Sequence, residues 1–145
     1  MSWIQKKIPL QARSRGVYLI TEEVEHALPE LRDFKVGVLH LFIQHTSAAL
    51  SLNENWDSDV RADMNDALNA LVPDDHEGRF RHTGAGEGPD DMAGHIKSTL
   101  VGASLSIPIT NGRLATGTWQ GIYLLEFRDY RHQRNIVATI NGEKK

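Results

Sequence analysis

One continuous apolar segment constrains the fold of this chain more than any other feature. Residues 36–43, VGVLHLFI, are apolar at both alternating positions, which is typical of a buried strand rather than of a strand with one face in water. The segment runs into QHTSA, residues 44–48, so an imidazole and two hydroxyls stand where the strand ends. A strand end is a rigid position for a ligand, which makes His45 the first candidate for chemistry. His40, inside the segment, is predicted to be a hydrogen-bonded core residue.

Length and composition predict a single domain over residues 1–145, because a chain of this size forms one core. The longest apolar run is far shorter than the ~20 residues that span a bilayer, and the N-terminus has no apolar signal-peptide core, so we expect a soluble, cytoplasmic protein. A net charge of -3 without a long basic block argues against nucleic-acid binding. With no cysteine, a transition-metal site must use carboxylates and some of the seven histidines. His76 lies among acidic residues and is expected to be solvated.

Apolar periodicity predicts three helices. The first begins with Thr21 as its N-cap and ends near Leu28, before a proline. The second covers residues 57–71, where apolar side chains recur at helical spacing behind a polar cap, either Asp57 or Ser58. The third begins near residue 90 and ends near residue 102. Residues 73–90 lie between the last two, and a loop of this length in a compact domain is typically functional or disordered.

Strands account for the rest of the chain, in an order that predicts an α+β fold with mainly antiparallel pairing rather than βαβ units. The first two, at residues 3–10 and 16–20, are expected to form a hairpin because only a polar turn separates them. The others are expected at residues 36–43, 48–53, 105–109, 113–117, 120–127 and 135–141. Asn111 and Gly112 are predicted to form a turn between two of these strands.

Three histidines could converge on one metal ion: His45 at the strand end, His82 in the long loop and His95 on the third helix. Three neutral imidazoles with one open position make a catalytic zinc site. Either Glu54 or Asp91 would orient these ligands or act as a general base. The alternative is that the histidines are surface or core residues, since no HExxH-like pair brings two of them together in sequence. Spacing alone leaves both interpretations open.

Hydroxyls, amides and arginines predict an anion-binding group, in which short polar side chains and backbone amides hold a phosphate and arginines supply charge. The candidate residues are Thr46, Ser47, Thr118, Gln120, Arg128 and Arg134. Two simpler interpretations stand beside this one: residues 115–121 are a tight turn with Trp119 buried, and the arginines lie in a solvated connection between strands. Because the chain has no P-loop and no GxGxxG, ordinary nucleotide-binding folds are disfavoured.

Three motifs resemble the YjbQ-like family, which carries the label of a secondary thiamine-phosphate synthase: QHTSAALSLNEN (44–55), DDMAGHIKSTLVG (90–102) and GRLATGTWQGIYLLEFR (112–128). The resemblance implies a β-sandwich of about seven mainly antiparallel strands in two sheets with two or three helices. It also implies a homotrimer and a histidine-held metal. His45, His82 and His95 occupy the family's histidine positions, with zinc as the expected metal and magnesium as the alternative.

The resemblance further implies a metal-dependent transferase acting on a small phosphorylated metabolite. In the named reaction, a pyrimidine diphosphate joins a thiazole phosphate and pyrophosphate is released, so a cation must neutralise the leaving group. The chain lacks an acidic DDxxD-like magnesium cluster, and the physiological substrate is therefore left open. The alternative, from another class, is a non-catalytic homotrimer that binds a metal and a small anion. Neither hypothesis involves nucleic acid or a membrane.

Overall fold

The computed structural model describes residues 1–145, which form eight strands in two antiparallel sheets and three α-helices. The strands are β1 Ser2–Pro9, β2 Gly16–Leu19, β3 Phe34–Ile43, β4 Ala48–Glu54, β5 Ser104–Thr110, β6 Arg113–Leu114, β7 Gln120–Glu126 and β8 Asn135–Lys144. The helices are α1 Thr21–Ala27, α2 Ser58–Leu71 and α3 Asp91–Val101, with 3-10 turns at Pro29–Asp33 and Arg81–Ala85. The predicted α+β fold with a two-sheet β-structure is confirmed.

The strands pair in the order β1-β8-β3-β5-β6 in one sheet and β2-β7-β4 in the other. β1 pairs with β8 along its whole length, whereas β2 pairs with β7. The predicted hairpin between the first two strands is therefore wrong, since they lie in different sheets. Each of them adds to a longer strand from the C-terminal third of the chain, a long-range pairing that local turn signals cannot indicate.

The main core lies between the inner faces of the two sheets. Alternate residues of β3, Leu39, Leu41 and Ile43, are at most 1% exposed. They belong to one apolar cluster with Leu50 of β4 and Leu124 of β7, from the other sheet. Burying side chains of this size contributes about 1.5–3 kcal/mol each, so the alternating pattern of β3 fixes its register against the second layer.

The outer face of β3 differs from the prediction. Val36, Val38 and Phe42 are between 44% and 51% exposed, and His40 is only partly buried on the same face. The strand is apolar on both sides, but a second layer of the same chain covers only one of them. The predictions that both faces are buried and that His40 is a core residue are therefore wrong for the single chain.

Local capping signals give mixed results. Asp57 caps α2 as predicted, with its carboxylate accepting the N–H of Asp59 at 2.9 Å. Thr21 does not cap α1, because Ile20 holds that position and the Thr21 hydroxyl instead accepts the N–H of Ile122 in β7. The predicted strand at 113–117 contracts to Arg113–Leu114. None of the helices is both long and apolar enough to cross a membrane.

The three-stranded sheet has two chemically different ends. β4 and β7 are antiparallel, so Ala48 pairs with Glu126 at one end and Glu54 pairs with Gln120 at the other. Six residue steps of β-strand separate the two pairs, which corresponds to about 20 Å. Polar residues at these two ends therefore belong to different parts of the surface of one chain.

Candidate functional site

Two imidazoles and a carboxylate converge beside the segment that leads into β4. His82 lies on the 3-10 turn Arg81–Ala85, while Asp91 and His95 lie one turn apart at the start of α3. Nε2 of His82 is 2.7 Å from Oδ2 of Asp91, and Nε2 of His95 is 3.3 Å from the same oxygen. One potential ligand atom from each residue lies within 4.8 Å of the other two. We call this group the His82–Asp91–His95 cluster.

A hydrogen bond to the backbone fixes the tautomer of His95. Its Nδ1 lies 2.9 Å from the carbonyl oxygen of Thr46, and a carbonyl can only accept, so Nδ1 carries the proton. In the neutral imidazole the lone pair then lies on Nε2, which is 3.3 Å from an oxygen of Asp91. Two acceptors at this distance repel each other unless a proton or a metal ion lies between them. The cluster therefore has the donor arrangement of a cation site.

The Asp91 carboxylate is held from its other side by Arg128. Nη1 of Arg128 donates to Oδ1 of Asp91 at 2.8 Å, and Nε donates to Asp90 at 3.0 Å. Nη2 donates to the carbonyl oxygen of Glu87 at 2.8 Å. Because Asp91 is 5% exposed, this ion pair is largely shielded from water. The guanidinium thus fixes one carboxylate oxygen and leaves the other for the two imidazoles.

A second buried carboxylate orders the loop that carries His82. Asp75 is 1% exposed and accepts hydrogen bonds from the hydroxyl of Thr83 at 2.6 Å and from the N–H groups of Phe80 and Arg79, each at 2.8 Å. These bonds, that of the Thr83 hydroxyl above all, lower the pKa of Asp75 to about 2 although burial opposes the shift. His82 lies between the bonded residues, so Asp75 fixes the position of that imidazole.

His45 is held apart from the cluster. Its Nε2 accepts the backbone N–H of Asn135 at 2.8 Å, which uses the lone pair that a metal ion would need. Burial, and then the positive charge of Arg134, lowers the pKa of His45, so the neutral form is favoured. Within one chain the structure does not bring His45 together with His82 and His95, and the third donor of the cluster is Asp91.

The predicted phosphate ligands next to His45 are engaged in internal contacts. Arg134 is 5% exposed and donates to the fully buried carboxylate of Glu126 from Nε at 2.7 Å and from Nη2 at 2.6 Å. The same Nη2 donates to the hydroxyl of Ser47 at 2.9 Å. The side chain of Thr46 is exposed, and the backbone carbonyl of Thr46 accepts a hydrogen bond from Nδ1 of His95. Ser47 and Arg134 thus hold the segment before β4 in place instead of facing solvent.

The remaining predicted site residues lie at the other end of the three-stranded sheet. The carboxylate of Glu54 accepts the N–H of Asp57 at 3.0 Å, and Oε1 of Gln120 accepts the N–H of Gly117 at 2.8 Å. Thr118 stands in the turn just before β7. About 20 Å of strand separates these residues from Ala48, where the cluster lies. One chain therefore does not bring them to the same ligand as the histidines.

Sequence reasoning missed two groups that hold the site in place. Asp75 accepts backbone donors within an irregular loop, for which no spacing rule exists. Lys97 is fully buried on α3, and its ammonium donates to the amide oxygen of Asn69 on α2 at 2.6 Å and lies 5.1 Å from the ring centroid of Phe127. Burial, with Arg15 as the next cause, lowers the pKa of Lys97 to about 8. Lys97 lies off the Met92, Ile96 and Leu100 face that apolar spacing indicates for α3, so no signal in the sequence pointed to its burial.

Comparison with known proteins identifies the family. Residues 6–143 match the family model described as UPF0047 protein YjbQ-like. The chain belongs to the YjbQ-like family. The UPF0047 protein YjbQ of Escherichia coli O157:H7 is 48% identical over 141 residues, which cover 97% of this chain and 99% of the relative. The resemblance seen in the sequence motifs is thereby confirmed.

Solved structures of YjbQ-like and similar proteins share the fold. A YbjQ-like protein from Sulfolobus solfataricus superposes with a TM-score of 0.81 at 25% identity, covering 98% of this chain and 99% of that one. A conserved hypothetical protein from Thermus thermophilus gives a TM-score of 0.74 at 32% identity, covering 92% and 97%. Since these alignments extend over nearly the whole chain, the two-sheet architecture is that of the YjbQ-like family.

Replacing Asp75 by Asn should destabilise the protein, because an amide nitrogen cannot accept the hydrogen bonds that a carboxylate oxygen accepts. The pKa of Asp75 is lowered from 3.8 to about 2, so its ionised form stabilises the fold fully above about pH 4. That stabilisation is lost as the pH falls through about 2. The difference in free energy of unfolding between wild type and Asp75→Asn, measured by urea titration, should therefore shrink as the pH falls from about 5 to 2.

Asp63→Asn, at an exposed position on α2, is the matched control and should leave the free energy of unfolding nearly unchanged. A difference between Asp75→Asn and wild type that stays constant over this pH range would contradict the role assigned to the carboxylate.

Proposed function

We propose that this YjbQ-like protein is a metal-dependent enzyme that acts on a small phosphorylated metabolite. The observation that carries the proposal is the approach of two imidazole nitrogens to one oxygen of Asp91, with the Nε2 lone pair of neutral His95 turned towards that oxygen. Two histidines and one carboxylate form a recurring protein ligand set for catalytic divalent metals, with further positions left for water or substrate.

The donor set favours zinc over magnesium. Imidazole nitrogens suit zinc and other transition metals, whereas magnesium prefers an all-oxygen shell with several waters. His95 has the support expected of a metal ligand, because its second nitrogen donates to a backbone carbonyl. Asp91 has equivalent support from Arg128. The side chain of His82 is 42% exposed, which leaves the cluster open to solvent on one side for a ligand to enter.

The charges around the cluster support an anionic substrate. A divalent ion together with Arg128 would outweigh the negative charges of Asp90 and Asp91, so the loaded site would attract a phosphate group. The metal would supply Lewis-acid stabilisation of phosphate oxygens and of a departing diphosphate. Arg128 keeps the Asp91 carboxylate oriented, and the Thr46 carbonyl keeps the lone pair of His95 turned towards the cluster. The exposed Thr46 hydroxyl is available to a bound anion.

The candidate reaction is the one implied by the family resemblance, the condensation of a pyrimidine diphosphate with a thiazole phosphate. A non-catalytic protein that binds a metal and a small anion is the second candidate. It is favoured by one observation: Arg128 and Arg134 are both bonded within the fold, so neither is free to follow a phosphate through a reaction. A cytoplasmic location is part of the proposal.

Replacing His82, Asp91 or His95 individually by Ala should reduce metal affinity by at least about tenfold, since each change removes one bond to the ion. The measurement is metal content by mass spectrometry after loading with zinc and dialysis, with folding checked by circular dichroism. His76→Ala is the matched control, because His76 is exposed on the same loop as His82. Undiminished zinc in all three variants would refute the site.

His45→Ala distinguishes the sequence-derived ligand set from the arrangement within one chain. Because Nε2 of His45 is already bonded to the N–H of Asn135, this variant should retain its zinc. Loss of zinc from His45→Ala would instead restore the prediction that His45 is a ligand. The result therefore decides which side chain is the third donor.

Pyrophosphate release from the two phosphorylated substrates, followed with the zinc-loaded protein, tests the enzymatic proposal. Turnover by the wild type and none by His95→Ala would support it. Zinc binding with no turnover, together with a rise in melting temperature on adding inorganic phosphate, would favour the non-catalytic candidate.

We also propose that the protein is a homotrimer, as the family resemblance implies. The half-exposed outer face of β3 gives this proposal physical support, since Val36, Val38 and Phe42 would lose water on contact with another copy. Light scattering should give a mass near three times 16.2 kDa. A monomer at micromolar concentration would contradict the trimer.

A further inference from the structure

At the end of the three-stranded sheet opposite the cluster, two tryptophans form the walls of an open cleft. Trp56 follows β4 and is 78% exposed, and Trp119 precedes β7 and is 59% exposed. Their ring centroids are 6.2 Å apart, and their planes meet at 76°. The cavity beside them has a volume of about 700 Å³ and continues to the start of α1. Two large indoles exposed side by side, unlike the single exposed indole of Trp3, make a contiguous apolar surface of the kind that binds a ligand or partner.

Hydrogen bonds hold both tryptophan-bearing segments in place. The side-chain amide of Asn55 donates to the carbonyls of Thr118 and Gln120 at 3.1 and 3.2 Å, and its backbone N–H donates to the carbonyl of Trp119 at 3.0 Å. The Gln120 side chain in turn accepts the N–H of Gly117. These bonds fix the backbone positions from which the two indoles project, and the edge-to-face contact between the rings sets the angle of 76° between their planes. Such preorganisation reduces the entropy lost when a ligand binds.

The charged residues that line the cleft indicate which kind of ligand it can bind. Eight residues line the cavity, and Glu22 is the only charged one among them. It is exposed and makes no ion pair within the chain, so its carboxylate is free to face a cation. No lysine or arginine lines the cavity, which disfavours an anion. Perpendicular indole faces beside a free carboxylate are the arrangement that binds a weakly hydrated cation through its attraction to the π-systems.

We propose that the cleft between Trp56 and Trp119 binds an organic cation of the quaternary-ammonium type. The positive group rests against both indole faces, and Glu22 provides the opposite charge at the rim. The site is separate from the His82–Asp91–His95 cluster by about 20 Å of strand, so it does not depend on the metal. This inference is independent of the proposed enzymatic function.

Calorimetric titration with choline, and with its neutral isostere 3,3-dimethyl-1-butanol, tests the proposal. Choline should bind saturably with and without zinc, and the isostere should bind at least about tenfold more weakly, because only the charge differs. Trp119→Leu and Trp56→Leu should each weaken choline binding by about tenfold. Glu22→Gln, an exposed and conservative change, should weaken it severalfold without affecting the fold.

Trp3→Leu is the matched control, because Trp3 is 71% exposed but lies on β1 in the other sheet. It should bind choline like the wild type. Equal affinity for choline and the isostere, no saturable binding, or an equal loss in Trp3→Leu would overturn the proposal. A decrease in oligomer mass caused by Trp56→Leu and Trp119→Leu, with no choline binding by the wild type, would overturn it in favour of a contact between subunits.

Discussion

The candidate site depends on the contacts that the Asp91 carboxylate makes with one arginine and two histidines. One of its oxygens is fixed by Arg128, and the other lies within 3.3 Å of two imidazole nitrogens. Because the group is almost fully buried, its charge must be balanced by neighbours and not by water. Arg128 supplies part of that balance, and a cation between Asp91 and the histidines would supply the rest. Hydrogen bonds from His95 to the Thr46 carbonyl and from Arg128 to Asp91 hold the imidazole and the carboxylate in positions where their charges can be balanced.

The sequence predicted the fold where local chemistry decides the structure. Asp57 caps its helix by a short-range hydrogen bond, and Asn111 and Gly112 form the expected turn with positive φ values of 53° and 76°. The prediction from sequence failed where contacts between distant segments determine the structure. β1 pairs with β8 although more than a hundred residues separate them, and Thr21 bonds to β7 instead of capping α1. Periodicity also cannot tell whether a strand that is apolar on both faces is covered on both, as the exposed face of β3 shows.

The candidate site shows the same contrast between features set by local sequence and features set by distant segments. His82 and His95 were predicted together, and the Asp91–His95 contact follows directly from helical spacing. His45 carried the strongest local signal, yet its lone pair is used by a backbone N–H from a strand ninety residues away in sequence. Arg134 likewise proved to be the partner of buried Glu126, and Ser47 the partner of Arg134. Residue type alone cannot separate a side chain that binds a ligand from one that fastens two strands.

Anomalous diffraction at the zinc edge, from crystals of the zinc-loaded protein, tests the account most directly. The account predicts one strong peak within about 2.0–2.2 Å of Nε2 of His82, Nε2 of His95 and an oxygen of Asp91, with Arg128 still bonded to the other oxygen. Crystals of the Asp91→Ala variant, grown under the same conditions, should lose the peak. A peak bonded to His45 in place of Asp91, or no ordered zinc at this end of the sheet, would contradict it.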